Sequence, residues 1–344
     1  MKKVSRRMFL EAMLIGGGAA VTASALGAAG LYANAAGISG IKSDFYYLEQ
    51  LVRGYTLKPK NMILADSHAH FLKIDDGNIL KEVVSTISDK LDWQSISTFV
   101  RDDGLCLRMS YEDFSKALRS YLPKRFSWVM SDAYATVLHD HELEKDIALI
   151  RSQEVEAFNP ENKSHEVHIC LEGCDYVKDY MDARTVVEHG LKENAFVMIN
   201  HPFAKPARIF KYWFPNRKEK DFLRKLALEY EVIFEGHNMI NSLWMAASNG
   251  AATEFFCDVS TRSGKNIQLI ANTDLHSADL ECTKEQIGLS GTLFDKKYSD
   301  IRSLTGKEII EKKKKLIFSG DYSTLKNSAG PKMVYEAMVK KTRW

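Results

Sequence analysis

The stretch ILADSHAHF, residues 63–71, runs a mostly apolar segment into Asp66, His68 and His70. Alternate side chains of an extended segment share a face, so these three fall on one side. Two imidazoles beside a carboxylate form a metal-ligand pattern, because neutral imidazole is the commonest protein ligand for metals. An edge strand with two solvated histidines would read the same in isolation, so the rest of the chain has to discriminate. Further apolar runs end in the same residue types. LIRSQEV carries Glu154, EVHIC carries His168, and FVMIN leads into His201. VIFEGHN holds Glu235 and His237, and LIANTDLH ends in Asp274 and His276. These five further runs, following the first in order and each delivering imidazole or carboxylate, point to one shared site. Its mixture of nitrogen and oxygen donors suits zinc, manganese or iron. Metal ions would lower the pKa of a bound water to give hydroxide near neutral pH, and would clamp substrate oxygens as charge develops. No Ser or Cys nucleophile motif competes with that reading.

The elements that must position these groups are legible from periodicity. Ile79, Val83, Ile87 and Leu91 share one face of a helix, and residues 93–100 read as a strand. Residues 111–122 are helical, with Phe114, Leu118 and Tyr121 on one side. AYATVL and IALIRSQEV flank the polar HDHELEKD, a hairpin. From the EVHICLEG strand onward helices and strands alternate: helix 182–194, strand AFVMIN, helix 218–230, strand VIFEGHN, helix 241–256, strand NIQLIANTD and helix 306–318. Repeated helix–strand units predict a parallel α/β architecture, and strand ends at one mouth of a β/α barrel would bring the ligand types together. Glu172 is expected to cap a turn, and His237 and Asn238 to support the pocket by hydrogen bonds. Lys312–Lys315 is expected to form the wet side of the last helix.

DSHAH, QEV followed by EVHI, FVMINHPF, FEGHN and NTDLHS together resemble the motifs of the PHP (polymerase and histidinol phosphatase) family of metal-dependent phosphoesterases. The resemblance runs from about residue 61 to 320. It implies a distorted seven-stranded β/α barrel with two or three divalent ions at its mouth. On it His68, His70, Glu154, His168, His201, Asp274 and His276 take ligand positions, Glu154 that of the bridging carboxylate. The implied substrate is a small phosphorylated molecule, which Lys205 and Arg208, just after His-Pro-Phe, could meet. One motif departs. Where the family carries Thr-Asp-His, this chain has Phe99, Val100, Arg101, Asp102 and Asp103. Asp102 or Asp103, or His139 or His141 from the insertion at about 101–146, replaces that ligand, or one ion fewer is held. Three rivals stand beside this reading. They are a hydrolase of the same fold acting on a non-phosphate ester or carbamate, an amidohydrolase-type barrel, and a non-catalytic metal- or ligand-binding envelope protein. Glu154 where an amidohydrolase usually has a bridging lysine, and His276 after Asp274, favour PHP over the second.

The first residues read as an address. Ser5-Arg6-Arg7-Met8-Phe9-Leu10 resembles the twin-arginine export signal, departing at Glu11, ahead of an apolar run from Ala12 to Ala33. Ala33-Asn34-Ala35 fits a small-x-small cleavage site. The expectation is a signal peptide over 1–35, the twin-arginine machinery as partner, a periplasmic or extracellular address, and one domain over 36–344. A retained membrane anchor is the other reading of that run. Composition is globular, at 45% hydrophobic and 27% charged over 344 residues, and the formal net charge of +2 calls for no nucleic acid. Five cysteines form no disulfide framework, and Cys170 and Cys174 lack the CxxC spacing of a zinc knuckle.

Overall fold

A computed structural model describes residues 55–100, 106, 108–204, 215–240, 246–276 and 280–327. The 1–35 segment, Asp102, Asp103, Lys205 and Arg208 lie outside them. The chain enters through β1 (Met62–Asp66) and the two-residue β2 (Ala69–His70), then α1 (Gly77–Lys90) and β3 (Trp93–Thr98). The insertion supplies α2 (Tyr111–Tyr121) and the hairpin of β4 (Phe126–Ser131) and β5 (Ala135–Asp140). Two long strands follow, β6 (Lys145–Asn159) and β7 (Asn162–Glu172). Then come α3 (Ala183–Lys192), β8 (Phe196–Asn200), α4 (Arg217–Glu229), β9 (Ile233–Asn238) and α5 (Ala246–Ser263). The chain closes with β10 (Gln268–Asn272), β11 (Leu275–His276), α6 (Leu280–Gln286), β12 (Gly291–Asp295), α7 (Gly306–Ser319) and β13 (Ser323–Leu325).

The fold is mixed α/β with a barrel-like sheet. Hydrogen-bonded neighbours run β10-β9-β8-β7-β6-β3-β1-β12-β13, nine strands in path rather than the expected seven, and the β4–β5 hairpin adds to β6. Nor is the sheet all parallel. β7 is antiparallel to both neighbours: to β6 because the short turn after Asn159 leaves no room for a crossover, and to β8 across α3. β12 is antiparallel to β1, and β13 to β12. No β1–β10 ladder is present among the described residues. There the Asp66 carboxylate accepts from Thr273 N at 3.2 Å and from its hydroxyl, and Asn272 Oδ1 accepts from Ser67 N at 2.9 Å. At the mouth β2 and β11 pair in parallel, Ala69 with Leu275 and His70 with His276.

Period two sorts the barrel strands into an outer and an inner face. Leu64, Leu149, Val197 and Phe234 point outward into the clusters covered by the helices. Ile63, Ala65, Ala148, Ile150, Phe196, Met198, Ile233 and Ile270 belong instead to a third cluster, with Ile309, Ile310, Leu316 and Ile317 of α7. α7 therefore plugs one end of the barrel with apolar residues. Thr305 and Glu308 form its capping box, and Gly320 ends it at φ 82, a left-handed conformation that suits glycine. Along each inner face the residues turn polar toward the other end: Glu154 after Ile150, His168 beyond Cys170, Asn200 after Met198, Glu235 after Ile233.

Two expectations change here. The lysine run is not a wholly wet face. Lys313 is fully buried, its Nζ 2.8 and 2.9 Å from the two Glu172 oxygens and over the Phe196 ring at 4.5 Å. Glu172 accordingly caps no turn; it answers Lys313, and Ser95 Oγ donates to it at 2.6 Å. A helix face turned into a barrel base can take a lysine only if a carboxylate waits for it. All five cysteines are free.

Candidate metal centre

The seven ligand types marked in the sequence converge at the polar end of the barrel. His68 precedes β2, His70 lies in it, Glu154 and His168 are on β6 and β7, His201 follows β8, and Asp274 and His276 lie at β11. Their donor atoms fall into four overlapping groups, each within 4.8 Å: His68/His70/Glu154, His68/His201/Asp274, His70/Asp274/His276 and Glu154/His168/His201. Glu154 is the hub. Its Oε2 is 2.9 Å from His70 Nε2, and its Oε1 lies 3.1 Å from His168 Nδ1 and 3.3 Å from both His68 Nε2 and His201 Nε2. Asp274 Oδ1 is 3.0 Å from His276 Nε2 and 3.3 Å from His68 Nε2.

Does this geometry fit divalent ions? His70 Nδ1 faces the Ser97 carbonyl at 3.2 Å, which can only accept, so Nδ1 carries the proton and the bare Nε2 faces Glu154. His68 is arranged alike: its Nδ1 meets Glu235 Oε1 at 3.1 Å, leaving Nε2 toward Glu154 and Asp274. Lone pairs set against carboxylate oxygens ask for a cation between them. Asp274 Oδ1 is buried and close to two imidazoles, yet receives no well-formed hydrogen bond. Ligands roughly 2.1 Å from one ion at angles of about 90–110° sit roughly 3.0–3.4 Å apart. The separations here match, so the residues fit.

The electrostatics agree. Burial alone would disfavour ionised His68, but Asp274 and Glu154 lift its pKa well above the usual 6.5. Burial likewise works against ionised Glu154, and the His68 and His168 imidazoles hold it well below the ordinary carboxylate range. In His70 burial wins, pushing the pKa down to about 4 despite Glu154. Without metal, His68 thus takes a proton where an ion would go, while His70 stays neutral.

Two of the ligand types also sit on strained backbone. His201 has φ 25 and Asp274 φ 50, in the left-handed region that costs a non-glycine residue of order 1–3 kcal/mol. Something holds them there. Glu235 Oε2 accepts from His201 N at 2.8 Å, and Asn238 Nδ2 donates to Asp274 Oδ2 at 3.0 Å.

Other expectations resolve separately. His139 and His141 lie outside the cluster: His139 Nδ1 is 2.8 Å from Asp146 Oδ1, eight residues before Glu154 on β6, roughly 26 Å along a strand. His237 leaves the pocket too. Between Glu235 and His237 the β9–β10 register gains one residue on β9, a bulge at Gly236. Past that bulge the faces exchange, so Asn238 points inward while His237 points out, its Nε2 donating to Asn327 O at 2.9 Å. Asn238 supports the pocket as expected. Asn200 was not singled out in the sequence, although it directly precedes His201. It donates to Glu154 Oε1 at 2.8 Å. Arg108, also missed, is buried beside His276, Nη2 to Nδ1 3.4 Å. Its only sequence signal is a lone cation in an apolar context.

No protein-family model matches the chain, and no curated protein matches it. Among solved structures, a two-domain protein from Bacteroides vulgatus ATCC 8482, described as containing a predicted PHP-like metal-dependent phosphoesterase, aligns with a TM-score of 0.46 and 16% identity. The alignment covers 79% of this chain and 68% of that one.

Proposed function

We propose that this chain is a divalent-metal-dependent hydrolase of the PHP type acting on a small phosphoester. One observation carries the reading: seven imidazole and carboxylate groups from five strand ends meet with bare nitrogens facing carboxylate oxygens at ligand-to-ligand distances. His68, His70, Glu154, His168, His201, Asp274 and His276 would hold two or three ions of zinc, manganese or iron. Such ions supply Lewis-acid polarisation of an ester oxygen and a lowered pKa for water.

The remaining tasks fall to the chain. Asn200 and Asn238 each donate to a ligand carboxylate, aiming its other lone pairs at the centre. Ser97 and Glu235 fix which nitrogen of His70 and His68 is bare. Arg108, at the same mouth, is the residue we assign to the negative charge of the substrate, with Lys205 and Arg208, which follow His201 closely in sequence. The Arg6-Arg7 signal supports export through the twin-arginine machinery, of one domain starting at Ala36.

The decisive experiment measures metal content and aryl-phosphate turnover on purified protein, with aryl acetate and aryl carbamate in parallel. We expect bound divalent metal, turnover of the phosphate, loss on chelation and recovery on readdition. Protein without metal and without turnover would overturn the proposal. Turnover of acetate or carbamate alone would transfer it to the non-phosphate reading.

A further inference from the structure

Glu235 belongs to none of the donor groups, yet four hydrogen bonds converge on it. Oε1 meets His68 Nδ1 at 3.1 Å and Asn272 Nδ2 at 3.1 Å. Oε2 meets His201 N at 2.8 Å and Asn238 Nδ2 at 2.9 Å. The residue is 1% exposed. Three of the four partners can only donate, which makes the carboxylate the acceptor throughout and places the His68 proton on Nδ1.

We infer that Glu235 is a positioning residue that prepares two metal ligands at once, fixing the tautomer of His68 through Oε1 and the strained backbone of His201 through Oε2. This rests on the metal-site reading above. The two jobs are chemically distinct. At His68 the carboxylate decides which nitrogen is bare and makes that nitrogen more basic, as outer partners of ligating imidazoles generally do. At His201 it accepts from the backbone at φ 25, an angle that persists only where its surroundings over-determine it. The bulge at Gly236 makes the arrangement possible, since it turns Asn238 inward beside Glu235. Asn238 then bridges Glu235 Oε2 and Asp274 Oδ2, joining a third ligand to the same network. One carboxylate therefore links ligands that arise from β2, β8 and β11.

Glu235→Gln tests this with little change of shape. An amide keeps one acceptor oxygen but sets an NH2 against N–H donors on its other side. Metal-free wild type and variant are titrated with Zn2+ alone against a competing chelator, with far-UV circular dichroism on both. The expected result is a 10–100-fold weaker Zn2+ affinity in a folded variant. The Co2+-loaded visible spectrum should change with it, a readout that a purely structural role would leave alone. Equal affinity and equal spectra in wild type and variant would overturn the inference while leaving the metal site standing. A wild type that takes up no Zn2+ would overturn both. Should the variant not fold, the Zn2+-loaded wild type still decides by long-range 1H–15N correlation. His68 protonated on Nδ1 upholds the inference, and a proton on Nε2 defeats it.

Discussion

His237 shows how burial sets a protonation state. Fully enclosed, its pKa is pushed from 6.5 down to about 4 by desolvation, only partly offset by the Asn327 carbonyl that accepts from Nε2. A depressed pKa means that the unfolded chain takes the proton first. Stability is full above pH 6.5, declines as pH falls toward about 4, and declines no further below. At about 1.4 kcal/mol per unit the loss is of order 3 kcal/mol. Urea unfolding of metal-free protein across that window should show it, and His237→Gln, which keeps a donor without titrating, should flatten the slope. Equal slopes for both proteins would refute the account. Glu154 is the opposite kind of residue, a carboxylate that four imidazoles share. Glu154→Gln should lower bound metal and reduce turnover by more than the ~10–100-fold expected from losing an outer partner. Elemental analysis beside the aryl-phosphate assay checks both; undiminished metal content would remove Glu154 from the ligand set.

At the scale of elements, α7 depends on a fully buried ion pair, Lys313 with Glu172. Removing one partner of a buried pair typically costs about 3–5 kcal/mol, because the other charge is stranded. Lys313→Met should therefore lower the urea midpoint sharply, and Lys313→Met with Glu172→Leu should recover much of the loss. A double variant no better than the single would contradict this. The same pair marks where sequence reading ends. Helix 306–318 was legible from its apolar spacing, but a run of four lysines gives no sign that the second is buried until Glu172, far away in the chain, is placed beneath it. The β8, β9 and β10 strands and the candidate ligands at their ends were legible because apolar runs stop at polar residues. Strict alternation along β9 would put His237 beside Glu235, and a one-residue bulge is invisible to that rule. β12 and β13 were missed because they are short and gain their pairing only from distant partners, β12 from β1 and β13 from β12.

For the molecule as a whole, the boundary between β1 and β10 is closed by side chains and by β2 with β11 rather than by a full ladder. His68 and His70 stand on one side of it, Asp274 and His276 on the other. Ions bound between them should act as clasps, adding stability by mass action. Hydrogen exchange of residues 66–70 and 272–276 should slow on Zn2+ addition more than exchange in α3 or α4. A uniform change, or none, would argue against the clasp. Export is tested at the same scale: changing Arg6 and Arg7 together to Lys should keep the protein inside the cell, and export of that variant would refute the twin-arginine reading.

The register of β1 on β12, Met62 opposite Asp295 and Ala65 opposite Thr292, has a consequence in time rather than space. Among the described strands, the first made must wait for nearly the last before its second edge is covered, and contacts so distant in sequence are the slow ones to form. Until then His68 and His70 have no Asp274 or His276 to share an ion with. Completion of the proposed centre would therefore be a late event in the life of each chain, following synthesis of the final quarter instead of guiding what comes before. In refolding from urea, Zn2+ should leave the early rise of helical signal unaltered and act only on the last phase.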